Sequence, residues 1–301
     1  MACFFAMGMV AACSGDSSGF EPPGPGPLER VDASSPPPAP PRTFTPSGTC
    51  QSGRWATDAG ATPTTYSAPY SGLDESCGPT LARRLCEIVN RNYRGQGYTS
   101  ARQSVLNAID VFDGGVQGIY DGQWFAPGSA EMNVEHAWPQ SKGATGEAKS
   151  DMHHLFATRA DYNTGRSNAA YGVVGTRNWP ATLIGDSACL AANADPDSCY
   201  SVRGSDADMV EVFEPRAAKK GDVARAVFYF AVKYGQSCAV KSLAAFDDLH
   251  PLITEAILKR WNADDAPDAL ERTRNDRVER IQNVRNPFID HPELAERISF
   301  Q

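Results

Sequence analysis

Apolar residues recur at helical spacing in three places along the chain. Leu81, Leu85, Ile88 and Val89 fall on one face of a helix over 79–93, with Pro79 at the first helical position, where a missing N–H leaves no bond unmade. Between 221 and 235, Val223, Ala226, Val227, Phe230, Ala231 and Tyr234 follow the i, i+3, i+4, i+7, i+8, i+11 pattern. This is the strongest helical signal in the sequence, and it predicts a helix through the core closed by Gly235 as C-cap. Over 268–284, Leu270, Ile281 and Val284 are expected to face inward and the neighbouring arginines outward.

Between the first two helices the pattern changes. Residues 111–130 carry many Gly and Asp with isolated Tyr120, Trp124 and Phe125, which predicts short strands and turns. The run Asp151 to Ala157 alternates well enough to predict a strand, and Thr158-Arg159-Ala160-Asp161 reads as a capping box opening a short helix that carries Asn163 and Arg166. With Asn133 to His136 at a strand end before it, the local order is strand, loop, strand, helix. The fold class that follows is α+β, a mainly helical domain around a small antiparallel sheet. No internal repeat is present, which excludes solenoids and propellers.

Composition divides the 301 residues. Residues 14–47 are rich in Pro, Gly and Ser with almost nothing to bury, so a disordered tether is predicted over 14–65 and a domain over 66–301. The apolar run before them is too short to span a bilayer, and it ends in Val10-Ala11-Ala12-Cys13, small residues before a cysteine as in bacterial lipoproteins. Residues 1–13 are therefore read as a signal or lipobox-like segment with Cys13 as the lipidation candidate. No Lys or Arg precedes Cys13, so a plain secretory signal or a displaced start codon stands as the alternative. Six further cysteines, Cys50, Cys77, Cys86, Cys189, Cys199 and Cys238, suit disulfides in an oxidising compartment, with a local bridge across 189–199 reasonable and the full connectivity open. The expected location is extracytoplasmic: periplasm, cell-surface or outer-membrane lipoprotein, or secreted.

A net charge of −8 argues mildly against a nucleic-acid partner, yet the basic residues are grouped: Arg83, Arg84, Arg91 and Arg94; Lys219, Lys220 and Arg225; Arg272, Arg274, Arg277, Arg280 and Arg285. Solvated helix faces are the commoner fate of such groups.

Chemistry concentrates between 133 and 166. Hydrolysis of a phosphodiester needs a base near neutral pKa for the attacking water and positive charge against the phosphate. His136 supplies the first, and Glu135 and Asn163 are hard oxygen ligands for Mg2+, with Mn2+ or Ca2+ as alternatives. Each has a plainer reading: a Glu-His pair usually decorates a surface, and Asn163 fits an ordinary helix position. Three of the five histidines, His136, His153 and His154, nevertheless lie within twenty residues of one another; for His153 and His154 a structural role in holding strand geometry is favoured.

In these motifs the chain resembles the endonuclease I family of periplasmic and secreted bacterial nucleases, which carry a ββα-metal (His-Me finger) site. The matching stretches are 70–73, 133–141, 150–155, 163–168 with Tyr171-Gly172, 213–215 with 220–226, and 285–292, in family order over about 66–298. The resemblance implies that His136 is the general base, that Glu135 and Asn163 bind the cation, and that DNA, often RNA too, is cut with little sequence preference to leave 5′-phosphate ends. Some relatives steady the phosphate with an arginine from a longer loop; here 142–150 holds Lys142 and Lys149 instead. Arg159, Arg166 and Arg225 are alternatives for that part; Arg166 is carried as a catalytic candidate, Lys142, Arg159 and Arg225 as candidate substrate contacts, and Glu147 and Asp151 as alternatives near the ion. A monomer without obligate protein partner is expected. A catalytically silent envelope lipoprotein binding nucleic acid or polysaccharide is the rival reading, and a zinc site built on the histidines a third.

Overall fold

The computed structural model describes residues 48–59, 65–182, 184–192, 196–235, 238 and 255–298, so Cys13 and the segment 1–13 lie outside the described residues. Order begins earlier than composition suggests. Strands β1 (Gly48–Gln51) and β2 (Arg54–Thr57) form a hairpin inside the stretch read as tether. A two-stranded hairpin is marginal by itself. This one is tied to the domain by the Cys50–Cys77 disulfide and by Trp55 N–H donating to the Glu75 carbonyl at 2.8 Å.

Helix α1 (Gly78–Asn90) starts with proline in its first turn and buries Leu81, Leu85 and Val89, as its spacing predicts. Helix α2 (Tyr98–Ser104) runs into a π-turn, Val105–Ile109. Short strands β3 (Val111–Phe112), β4 (Gly115–Gln117) and β5 (Trp124–Phe125) make an antiparallel meander. Strands β6 (Met132–His136) and β7 (Leu155–Arg159) pair antiparallel, and helix α3 (Ala160–Arg166) follows at once. Strands β8 (Ala170–Tyr171), β9 (Thr176–Trp179), β10 (Val202–Ser205) and β11 (Glu211–Glu214) form a sheet in the order β8-β11-β10-β9, with helix α4 (Ser187–Ala192) between β9 and β10. The β8–β11 pair is parallel and the others antiparallel. Helices α5 (Lys220–Tyr234), α6 (Glu255–Asp264), α7 (Ala269–Gln282) and α8 (Pro287–Asp290) complete the domain. The class is α+β, but among the described residues the strands divide into four small sheets rather than one.

Helix α5 is the axis of the core; only Lys220 and Ala231 fall outside its buried set. The Trp138 ring lies flat on Phe230, centroids 5.0 Å apart, so the turn after β6 is packed directly on this helix. Gly235 follows α5, but extended (ψ 174°) rather than left-handed, and the disulfide Cys86–Cys238 ties the chain just beyond it to α1. The third disulfide closes 189–199.

Helix α7 differs from its expected polarity. Its inner face is Glu271, Arg274, Asn275, Val278 and Gln282, while Leu270 and Ile281 are only partly buried. Arg274 turns inward because partners await it there: Asp110 Oδ1 at 2.7 Å and the carbonyls of Met152 and Leu155. Arg225, read as a substrate contact, is likewise sealed in the core. It donates to both carboxylate oxygens of Glu271, to Asn262 and to the Asp265 carbonyl, and no surface is left on it for a ligand.

Candidate active site

Antiparallel pairing sets His136 opposite Leu155 and Glu135 opposite Phe156, at the end of β6 farthest from α3's first turn. The strand predicted from 151 begins only at Leu155; Met152–His154 form a tight turn capped by Asp151, whose carboxylate accepts from His153 N–H. Helix α3 then crosses back over the hairpin. Its N-cap is Arg159 and no side chain caps it, so the capping box read at 158–161 is not formed; Thr158 faces inward on β7 with its hydroxyl unpartnered. Asn163 Nδ2 donates to the Val134 carbonyl at 3.4 Å, pinning the helix to β6. Gly165 in the same helix lies flat against the Trp179 ring, where a methyl group would overlap the indole. Alanine favours helix over glycine by about 1 kcal/mol, but overpacking costs about 1–3 kcal/mol. Gly165→Ala is therefore expected to lower the melting temperature by several degrees, a shift readable by circular dichroism; a raised value would show that Trp179 yields freely.

Glu135, His136, Asn163 and Arg166 border one open cleft of about 420 Å3, together with Tyr98, Asn133, Val134, Pro139, Gln140, Ser141, Ser167 and Asn168. The His136 ring is fixed on three sides. Its Nε2 lies 2.9 Å from the Lys149 carbonyl, which can only accept, so the proton sits on Nε2 and Nδ1 carries the lone pair. Gln140 Nε2 stands 3.5 Å from Nδ1, and Tyr98 stacks on the ring with centroids 5.4 Å apart. Burial, helped by the neighbouring His154, pushes the His136 pKa down to about 3, and the imidazole is neutral at ordinary pH. Neutral imidazole is the form that can take a proton. Negative charge brought close to the ring would raise its basicity, since it favours the protonated form.

Glu135 is held from below. Its Oε1 accepts from Arg166 Nη1 at 2.9 Å and from the Tyr120 hydroxyl at 3.0 Å. Burial nevertheless outweighs Arg166 and Tyr120 and lifts the Glu135 carboxyl to about 7. A carboxylate so placed gains from a second positive charge on its open side. Glu135 and Asn163 together provide two hard oxygens, which fit Mg2+, Mn2+ or Ca2+ better than zinc. Among the described residues no group of three or more His, Cys, Asp or Glu is arranged to hold a metal, so a cation here would complete its shell with water and substrate.

The other sequence candidates separate clearly. Arg166 reaches the cleft floor but not as a free cation: beyond Glu135, it donates to the carbonyls of His136 and Ala137 at 3.1 Å each, and it is almost fully buried. Its part is to hold Glu135 and the end of β6. Arg159 is at the opposite end of the hairpin, across from Met132, and is engaged by Asp161. Lys142 ends the turn Gln140–Lys142, of which Gln140 and Ser141 line the cleft and Lys142 does not; its carbonyl accepts from Trp138 Nε1 at 2.7 Å. Asp151 is buried beneath Lys233, Tyr229 and Tyr234 and does not face the cleft, and Glu147 is exposed on the preceding turn. His153 and His154 give their Nε2 atoms to the carbonyls of Val284 and Ala148, as structural histidines do. Residue-by-residue reading passed over Tyr98, Tyr120, Tyr171 and Gln140. Only Gln140 carried a usable signal, four residues after His136 in the Trp-Pro turn.

The family model described as Endonuclease I matches residues 81–293, a span that includes every residue of this cleft. An extracellular ribonuclease of Bacillus subtilis (strain 168) is 34% identical over 177 residues, and an extracellular ribonuclease of Bacillus amyloliquefaciens is 33% identical over 177. Both alignments take in 56% of this chain and 54% of the relative, so the chain spans about half the length of the curated relatives it matches.

Proposed function

The chain belongs to the endonuclease I family, and from that premise we propose that it is an extracytoplasmic, metal-dependent nuclease hydrolysing phosphodiester bonds of DNA and RNA with little sequence preference. One observation carries the reading: His136 shares a cleft with Glu135 and Asn163, its proton held on Nε2 by the Lys149 carbonyl and its Nδ1 left as a base. On this reading β6, β7 and α3 are a ββα-metal (His-Me finger) unit. The three disulfides and the extracellular relatives support export.

His136 Nδ1 takes a proton from water as its oxygen attacks phosphorus, and the bond to the leaving 3′ oxygen breaks on the opposite side, that oxygen taking its proton from a second water. Gln140, beside Nδ1, orients that water. Glu135 and Asn163 would hold a divalent cation, Mg2+ by preference, whose chemistry is to neutralise charge building on the phosphate. Since the nucleophile is water, no ribose 2′-hydroxyl is required, which opens both nucleic acids as substrates. Contacts that ignore sequence are contacts to phosphate.

The oxidised protein is expected to cut plasmid DNA and RNA in Mg2+, to stop in EDTA, and to leave 5′-phosphates. Products ending in 2′,3′-cyclic phosphate would identify the ribose as nucleophile and overturn the mechanism. Asn163→Ala is expected to raise the Mg2+ concentration for half-maximal rate by about tenfold or more, measured by titrating the metal at fixed substrate. An unchanged titration would remove Asn163 from the ligand set.

A further inference from the structure

Glu135 stands at the end of a buried chain of hydroxyl groups. Tyr120 donates to its Oε1 at 3.0 Å, and the Tyr120 and Tyr171 hydroxyls are 2.8 Å apart. A tyrosine hydroxyl has one proton to give. Tyr120 gives its proton to Glu135, so Tyr171 must donate to Tyr120, and the order runs Tyr171 to Tyr120 to Glu135 Oε1. Arg166 closes the set from the other side: its guanidinium lies 4.6 Å over the Tyr171 ring and 2.9 Å from the same Oε1. All four residues are buried, and they come from separate parts of the fold: the β4–β5 turn, β6, α3 and β8. Both bonds fall on Oε1, while Glu135 borders the cleft.

We propose that Tyr120, backed by Tyr171, is a positioning residue that with Arg166 holds Oε1 of Glu135 and leaves Oε2 as the oxygen offered to a divalent cation. The inference rests on Glu135 being a cation ligand. Its consequence is selectivity. Mg2+ demands near-octahedral geometry and takes one oxygen per carboxylate readily, whereas the larger Ca2+ accepts both oxygens of one carboxylate and tolerates irregular shells. A clamp on Oε1 favours the first arrangement and opposes the second.

The test is calorimetric titration of the oxidised full chain with Mg2+ and, separately, Ca2+, for the parent, Tyr120→Phe, Tyr171→Phe and Glu135→Ala, with melting curves alongside. Tyr120→Phe is expected to raise the Mg2+ dissociation constant about tenfold and the Ca2+ constant by less, so that the ratio moves toward Ca2+. Tyr171→Phe, which keeps the Tyr120 bond but loses its support, should move the ratio the same way by a smaller factor, and it serves if Tyr120→Phe does not fold. Equal losses for the two metals, or none, while Glu135→Ala abolishes binding, would overturn the clamp and leave the ligand assignment standing. A parent that binds neither metal, or a Glu135→Ala protein that binds as the parent does, would overturn both.

Discussion

His136→Ala is expected to fold and to lose hydrolysis by roughly 100- to 10,000-fold. The size follows from the part assigned to the ring. General base catalysis is worth about that much when the base is correctly placed, and His136 is the histidine that lines the cleft; His153 and His154 are buried away from it with Nε2 committed to carbonyls. The fold should survive because the ring is at the cleft's edge of the core: Tyr98 covers one face and the Lys149 carbonyl holds one nitrogen. Losing these contacts costs one hydrogen bond, about 1 kcal/mol, and a ring stack of similar worth. Steady-state rates on plasmid DNA, with near-ultraviolet circular dichroism and Mg2+ titration, separate the outcomes. Intact fold and metal binding with lost rate identifies the base. Full activity would remove His136 from the mechanism, and loss of metal binding with loss of rate would turn the residue into a determinant of the site's shape.

The parts of this site that lie within one strand, loop, strand, helix unit were readable in the sequence, because local spacing dictates their geometry. Glu135 and His136 end β6, and Asn163 sits one helical turn into the helix that follows β7, so the strand, loop, strand, helix order brings all three to one cleft. What was not readable depends on contacts made far along the chain. Tyr171 meets Tyr120 across 51 residues and Arg274 meets Asp110 across 164, and no local pattern encodes either meeting. The same reason explains why Arg225 and Arg274 were read as exposed. An arginine in a sequence is presumed solvated unless its carboxylate partner is known, and Glu271 and Asp110 become partners only after the chain has folded. Arg166 is an intermediate case: its proximity to the site follows from α3, but its inward direction is fixed by the carbonyls of His136 and Ala137 and by Tyr171.

The turn that presents the Lys149 carbonyl to His136 is held by a buried ion pair, and Asp151→Asn is expected to cost about 3–5 kcal/mol. Asp151 Oδ2 accepts from Lys233 Nζ at 2.6 Å, Tyr234 at 2.9 Å and Tyr229 at 3.0 Å, all out of water. An amide in its place takes the Asp151 charge away from the buried Lys233 ammonium, and the Tyr93 ring 3.0 Å away softens the loss. Acid should act on the same turn in two stages. Burial pushes His153 and His154 down to about 4 from an ordinary value of about 6.5. Between those pH values the unfolded chain binds protons that the folded one refuses, so stability falls as pH drops through this window. Burial raises the Asp151 carboxyl, but Lys233 more than reverses that and holds it below its usual range. Its contribution is present above the unfolded carboxyl pKa of about 3.9 and is lost as pH falls further. In denaturant titrations from pH 8 to 3 the histidine contribution should fall from about pH 6.5, partly offset by the raised carboxyls of Glu135 and Glu271, which act with the opposite sign, and the Asp151 contribution should fall below about pH 4. Asp151→Asn should start lower, and its gap from the parent should narrow below about pH 4. A mutant as stable as the parent at pH 7 would mean that the tyrosines and the Tyr93 ring hold Lys233 without the carboxylate. Because this turn delivers the carbonyl that orients His136, the same mutant should lose turnover even where it remains folded, linking the buried pair to the base it never touches.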